Sequence, residues 1–92
     1  MWFIYFLTCS DDSYYIGHTN NIKQRVETHN QGRGSSWTAK RLPVRLAYFE
    51  KFSTQKEAVQ REIQLKKWSH HKKRALIQGD FQALQCLSKR MP

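Results

Sequence analysis

Two short apolar runs open the chain, Trp2-Phe3-Ile4-Tyr5-Phe6-Leu7 and Tyr14-Tyr15-Ile16-Gly17, divided by the polar stretch Thr8-Cys9-Ser10-Asp11-Asp12-Ser13. Aromatic and β-branched side chains suit extended backbone, and a Ser/Asp cluster suits a turn, so the pattern predicts a β-hairpin. Alternation sends Trp2, Ile4 and Phe6 to one face of the first strand and Phe3, Tyr5 and Leu7 to the other. Both faces are apolar, which predicts a central strand covered on both sides. A tyrosine on each strand then points to the same side. Gly17 leaves room for backbone or a ligand where the second strand ends.

Beyond the hairpin the period lengthens. Asn20 or Asn21 is a fitting N-cap for a helix from about Ile22 to Asn30, with Ile22 and Val26 inward, His29 beside them and Arg25 on the flank. Arg25 and His29 are one turn apart and share a side. Gln31-Gly32-Arg33-Gly34-Ser35-Ser36 reads as a loop that continues through Trp37 to Pro43. Val44 to Glu50 reads as a third strand, with Pro43 tolerated because it precedes the ladder. Thr54-Gln55-Lys56-Glu57 is a capping box that opens a helix running to about Trp68. Ser69 caps a further helix, His70 to about Gln78, stopped at Gly79. Asp80 caps a last one, Phe81 to about Lys89, with Phe81, Leu84 and Leu87 on one side. The prediction is an α+β domain: a three-stranded antiparallel sheet flanked by helices in the order β-β-α-β-α-α, plus a C-terminal helix over about 80–90.

One residue breaks the apolar pattern. Ala58, Val59, Ile63 and Leu65 define an apolar arc on the second long helix, and Glu62 falls near its middle. Burying a lone carboxylate costs several kcal/mol or more, on the order expected for an unpaired ion. Glu62 must be paired, stand at a cleft or hold a cation. A Glu62–Lys66 pair, with the acid N-terminal at i,i+4, is the plain structural alternative.

Charge narrows the partners. Sixteen Lys+Arg against seven Asp+Glu in 92 residues give a net charge of +9. A small domain with that excess is expected to meet a polyanion, most often nucleic acid. Lys23, Arg25, Arg33, Lys40, Arg41 and Arg45 stand against Glu27 alone in their segment, with Trp37 among them. Cations around an aromatic suit phosphate contact plus base stacking, while a Trp that pins a loop is the competing reading. Adjacent His70 and His71 diverge on a helix and make a poor metal pair. Cys9 and Cys86 form no Cys-x-x-Cys pair and read as reduced thiols in a cytoplasmic setting. The hydrophobic start lacks a basic flank and is too short to span a bilayer, so no membrane role is expected.

Phe3-Ile4-Tyr5 and Tyr15-Ile16-Gly17 resemble the signature of the GIY-YIG nucleases, with Phe3 in place of the first glycine. The resemblance runs from about residue 3 to 77 of a single domain. It takes in Arg25, Thr28-His29-Asn30, Gly32-Arg33-Gly34, Trp37-Thr38 through Pro43-Val44, and Arg61-Glu62 followed by Lys66-Lys67-Trp68. The chain is most similar to the small single-domain bacterial subgroup, and more distantly to the N-terminal domain of the excision-repair nuclease.

The resemblance implies an active site of Tyr5, Tyr15, Arg25 and His29, with His18 beside it and Glu62 as the one protein ligand to Mg²⁺ or Mn²⁺. It implies DNA contacts from Lys23, Arg33, Trp37, Lys40, Arg41, Lys66 and Lys67, and structural roles for Gly17 and Asn30. The implied function is metal-dependent hydrolysis of phosphodiesters in DNA, in repair or branched-DNA processing. A free tyrosine is ionised in only about one molecule in a thousand at neutral pH. Either tyrosine, acting as base, needs help from Arg25, the metal or an imidazole (His18 or His29). The alternative is a nucleic-acid-binding module with the nuclease fold and little turnover. So small a domain reads its substrate by shape or takes specificity from a protein partner.

Overall fold

The computed structural model describes residues 1–80 together with Gln82 and Leu84. The expected last helix therefore lies outside the described residues except at those two helical positions, and Cys86 lies outside them too. The elements are β1 (Trp2–Thr8), β2 (Tyr14–Thr19), α1 (Ile22–Asn30), α2 (Ser36–Ala39), β3 (Arg45–Phe52), α3 (Gln55–Lys66) and α4 (His70–Gln78). The strands form one antiparallel sheet in the order β2-β1-β3.

Strand β1 is central because both its faces are apolar, as the alternation predicts. Ile4 and Phe6 pack with Ile16, Ala58, Leu65 and Leu76 on the face covered by α3 and α4. Tyr5 and Leu7 pack with Cys9 and Val44, and with partly buried Tyr15 and Val26, on the face covered by α1. Removing a ring such as Phe6 from so closed a layer is expected to cost about 3–5 kcal/mol. The pairing of β1 with β3 slips between Phe6, opposite Tyr48, and Leu7, opposite Leu46, so Ala47 is the extra residue of a bulge.

The helix starts follow their caps. Asn21 accepts from the Gln24 N–H, Thr54 from the Glu57 N–H, and Ser69 from the Lys72 N–H. The Thr54 hydroxyl also donates to the Glu57 carboxylate at 3.0 Å, so the two side chains of the Thr-x-x-Glu pattern meet each other. Gly79 ends α4 with φ 70°, a left-handed conformation that favours glycine.

Three expectations need correction. The stretch after Gly34 is not all loop: Ser35 accepts from the Thr38 N–H and starts the short helix α2. Ile63 is not inward; it is 52% exposed. The buried stripe of α3 runs through Ala58, Glu62 and Leu65, at i, i+4 and i+7, and Ile63 lies a step of roughly 100° off it. The edges also move, with β3 reaching Phe52 instead of Glu50 and α3 ending at Lys66 before Trp68.

Two polar ties set the helices against the sheet. The Asn30 side-chain amide donates to the Val44 carbonyl at 2.9 Å and accepts from the Val44 N–H at 2.8 Å, which joins the end of α1 to the approach of β3. Arg61 on α3 donates to both oxygens of Glu50 on β3, at 2.8 and 3.0 Å, and the Tyr48 hydroxyl donates to the same carboxylate at 2.6 Å. Burial first, then the bond to Glu50, pushes the Tyr48 phenol up to about 12.

Candidate active site

The register puts Tyr5 of β1 opposite Gly17 of β2, and Leu7 opposite Tyr15. Both tyrosines therefore stand on the α1 face, their ring centroids 6.3 Å apart. The space that Gly17 leaves is taken by the Tyr5 ring and not by backbone or ligand. A Cβ at Gly17 would stand 2.5 Å from the Tyr5 hydroxyl oxygen. The ring thus reaches across β2 to the open edge of the sheet.

A buried polar chain holds that hydroxyl. Tyr5 Oη lies 3.2 Å from His29 Nε2, and His29 Nδ1 lies 2.8 Å from Thr38 Oγ1. Thr38 is in turn tied to Ser35. Tyr5 is 1% exposed, and His29 and Thr38 are fully buried. Burial, followed by the charge on Arg25, lowers the His29 imidazole, so it is neutral and carries one N–H. The consistent assignment has Tyr5 O–H donating to Nε2 and Nδ1–H donating to Thr38. Gly34 makes room for this ring, since a Cβ there would collide with His29 Nδ1.

Tyr5 is also where the two helical layers meet. Burial raises its hydroxyl strongly, and the neighbouring Tyr15 adds to that. Opposing them, the Arg25 guanidinium acts through charge and hydrogen bonding, while the Glu62 carboxylate raises the hydroxyl further through charge. Arg25 comes from α1 and Glu62 from α3, on opposite faces of the sheet. Both charges act on the Tyr5 hydroxyl, whose ring lies over Gly17 of β2.

Glu62 is paired and not idle. His18 Nδ1 stands 2.7 Å from its Oε1, and Lys66 Nζ stands 2.9 Å from its Oε2. Burial alone would raise this carboxyl, yet the bonds from Lys66 and His18 hold it below the usual carboxylate range. The Glu62 side chain is 14% exposed and that of Lys66 53%, so the lysine can swing away while the carboxylate cannot. Among the described residues no three His, Cys, Asp or Glu side chains gather into a metal-binding cluster. A cation on Glu62 would rest on one carboxylate plus water, which suits magnesium and does not suit zinc.

The other sequence-predicted residues divide into two groups. Tyr15, half-buried, lines a cleft of about 140 Å³ with Trp37, Lys66 and Lys73. Trp37 is 38% exposed, and its ring lies 6.1 Å from that of Tyr15. Arg25 and Arg33 share a second cleft, of about 320 Å³, with Gly34. Lys40 and Lys67 are exposed at the ends of α2 and α3. Lys23 is set apart, on the side of α1 that faces Phe3 and Phe49. Arg41 is already engaged: it donates to Asp11 Oδ2 at 3.1 Å and to the Trp37 carbonyl at 2.8 Å, with its guanidinium 4.0 Å over the Trp37 ring. Thr38 and Ser35 complete the Tyr5–His29 chain and are not among the expected site residues, although Thr38 stands in the Trp37-Thr38 stretch of the resemblance. The further sequence signal is the Ser-x-x-Thr spacing of a short capped turn.

A buried tyrosine thus lies over a strand glycine of a β2-β1-β3 sheet. The chain belongs to the GIY-YIG family: the GIY-YIG catalytic domain matches residues 1–75. It is 49% identical over 76 residues to a UPF0213 protein of Bacillus licheniformis, covering 83% of this chain and 78% of that one. To the UPF0213 protein YazA of Bacillus subtilis it is 45% identical over 76 residues, covering 83% and 77%. The solution NMR structure of a UPF0213 protein from Bacillus halodurans superposes with a TM-score of 0.55 at 34% identity, covering 85% of this chain and 84% of that one.

Proposed function

We propose that this protein is a divalent-metal-dependent DNA endonuclease, using Mg²⁺ or Mn²⁺, that works in the cytoplasm on damaged or branched DNA. The observation that carries this reading is a buried tyrosine laid over Gly17 of β2 whose hydroxyl feels the charges of Arg25 from α1 and of Glu62 from α3. A core tyrosine needs neither a guanidinium nor a carboxylate beside it for packing. A phosphodiester at a metal needs both kinds of charge.

Within this reading the two phenols differ in task. Tyr5 is buried, kept protonated, and donates to His29; it positions and does not take a proton. Tyr15 opens onto the cleft with Trp37 and Lys66, and is the phenol that meets and orients the attacking water. Arg25 lies against the phosphoryl oxygens and stabilises the charge that grows on them. His18 fixes the Glu62 carboxylate from behind. Mg²⁺ held by Glu62 would supply Lewis-acid stabilisation of the leaving 3′-oxygen.

A second reading, a nucleic-acid-binding module with little turnover, is favoured by one observation: both Glu62 oxygens already have cationic or imidazole partners. A panel of nicked, flapped, branched and single-stranded DNA, incubated with Mg²⁺ or Mn²⁺, separates the two. A nuclease should give products from the parent and none from Glu62→Ala or Arg25→Ala. Salt-sensitive, metal-independent binding without product would favour the second reading, and cleavage that survives both substitutions would overturn the assignment of the site.

A further inference from the structure

A further cationic cleft, apart from those of Tyr15 and of Arg25, also takes in Tyr14, and the nuclease reading does not use it. It encloses about 500 Å³ between the start of β3 and α4, with Arg45, Arg74, His70 and Tyr14 in its wall. Two other arginines, Arg41 and Arg61, are neutralised in ion pairs with Asp11 and Glu50. Arg45 and Arg74 have no ion pair among the described residues, although Asp12 lines the same cleft. Two guanidiniums that share a concave surface repel each other unless an anion stands between them.

The cleft is connected to the catalytic one. Tyr14 lines both. Its ring stacks on His70, with centroids 4.6 Å apart and planes at 11°. Helix α4 supplies Lys73 to the catalytic cleft and, one residue on, Arg74 to the further one. A chain of phosphates leaving Tyr15 and Lys73 can cross the Tyr14–His70 stack and arrive between Arg45 and Arg74.

We infer that this cleft is a phosphate-binding site for the DNA backbone flanking the scissile position, so that α4 tracks the strand away from the active centre. The inference rests on the reading of DNA as substrate. The site contributes binding and register and takes no part in the chemistry.

The test measures binding of a labelled flapped duplex to the full-length protein by fluorescence anisotropy across a salt series. The parent is compared with the Arg45→Gln/Arg74→Gln double variant, with Arg74→Lys and with Lys56→Gln on the far face of α3. For each phosphate that is no longer neutralised, the slope of log affinity against log salt shrinks by roughly 0.9. The double variant is expected to bind more weakly, with a slope smaller by about 2. Arg74→Lys should keep most of the affinity, and Lys56→Gln all of it. Single-turnover cleavage at saturating protein should be unchanged in the double variant. Both arginines are exposed, so melting curves should match the parent. A parent that binds DNA beside a double variant of equal affinity and slope overturns this site alone. A parent that binds no DNA overturns both this site and the nuclease reading.

Discussion

The Tyr5 ring lies against the backbone of Gly17, so close that a methyl group there would stand 2.5 Å from the phenol oxygen. The glycine is required by a side chain on the neighbouring strand and not by its own backbone angles. Gly17→Ala must therefore push the ring out of the sheet edge and break its bond to His29. We expect a loss of roughly 1–3 kcal/mol in stability, the usual cost of overpacking a closed layer. Activity should fall further than stability explains, because the hydroxyl beside the charges of Arg25 and Glu62 is displaced. Chemical denaturation beside single-turnover cleavage checks both parts.

The buried chain Tyr5–His29–Thr38 predicts a pH effect. The folded-state imidazole of His29 is lowered from its usual 6.5 by burial and by Arg25. The unfolded chain then binds the extra proton below about 6.5, so stability falls as the pH drops from there toward the lower folded value. The contribution is complete above about pH 6.5. Melting temperatures from about pH 7.5 down to about 5.5 should decline in the parent and stay flatter in His29→Gln, which should itself be destabilised by roughly 1–3 kcal/mol for the partners it leaves unsatisfied. An NMR titration in which the His29 ring protonates at about 6.5 or above would contradict the arrangement.

At the alkaline end the sign reverses. Tyr48 is pushed up to about 12 from its usual 10 by burial and by its bond to Glu50. The folded protein holds that proton longer than the unfolded chain does. Its contribution is present below about pH 10 and is lost as the pH rises to about 12. Tyr48→Phe should remove this part of the alkaline transition and leave cleavage at neutral pH intact. Glu50→Gln should lower stability by about 1–3 kcal/mol through loss of the charge-assisted bonds to Arg61, again without an effect on chemistry at saturating substrate.

The two tyrosines are expected to separate kinetically. Tyr15→Phe removes the hydroxyl proposed to orient the attacking water, and should depress the single-turnover rate with little change in melting temperature. Tyr5→Phe removes a buried donor to His29, and should lower stability as well as rate. A Tyr15→Phe enzyme that cleaves at the parent rate would exclude Tyr15 from the chemistry.

Much of this layout is legible in the sequence. The two-sided β1 follows from apolar residues at every position from Trp2 to Leu7, and the helix starts follow from Asn21, Thr54 and Ser69. Glu62 stands out because a carboxylate does not belong on a buried stripe. His18 is expected beside the site, but its pairing with Glu62 is not legible, because the pair spans 44 residues and exists only once α3 has docked beside β2. Helix α2 is hidden by its length: four residues carry no period, and glycines on either side of Arg33 read as loop. Ile63 reads as inward because apolar character alone does not say which side of α3 the sheet will cover. Thr38 gives little sign of its part, because a threonine shows its value only when an imidazole nitrogen is found 2.8 Å away.

The most direct measurement of the central claim is the Mg²⁺ dependence of single-turnover cleavage, on whichever branched or nicked DNA the parent cuts, for the parent and for Glu62→Gln. Glutamine keeps the shape and can still bond His18, but it removes the charge that would hold the cation. The parent rate should saturate with Mg²⁺. The variant rate should be lower by more than the roughly 10- to 100-fold typical of losing a group that only supports a metal ligand. A variant that cuts at the parent rate with the same Mg²⁺ dependence would contradict the role given to Glu62.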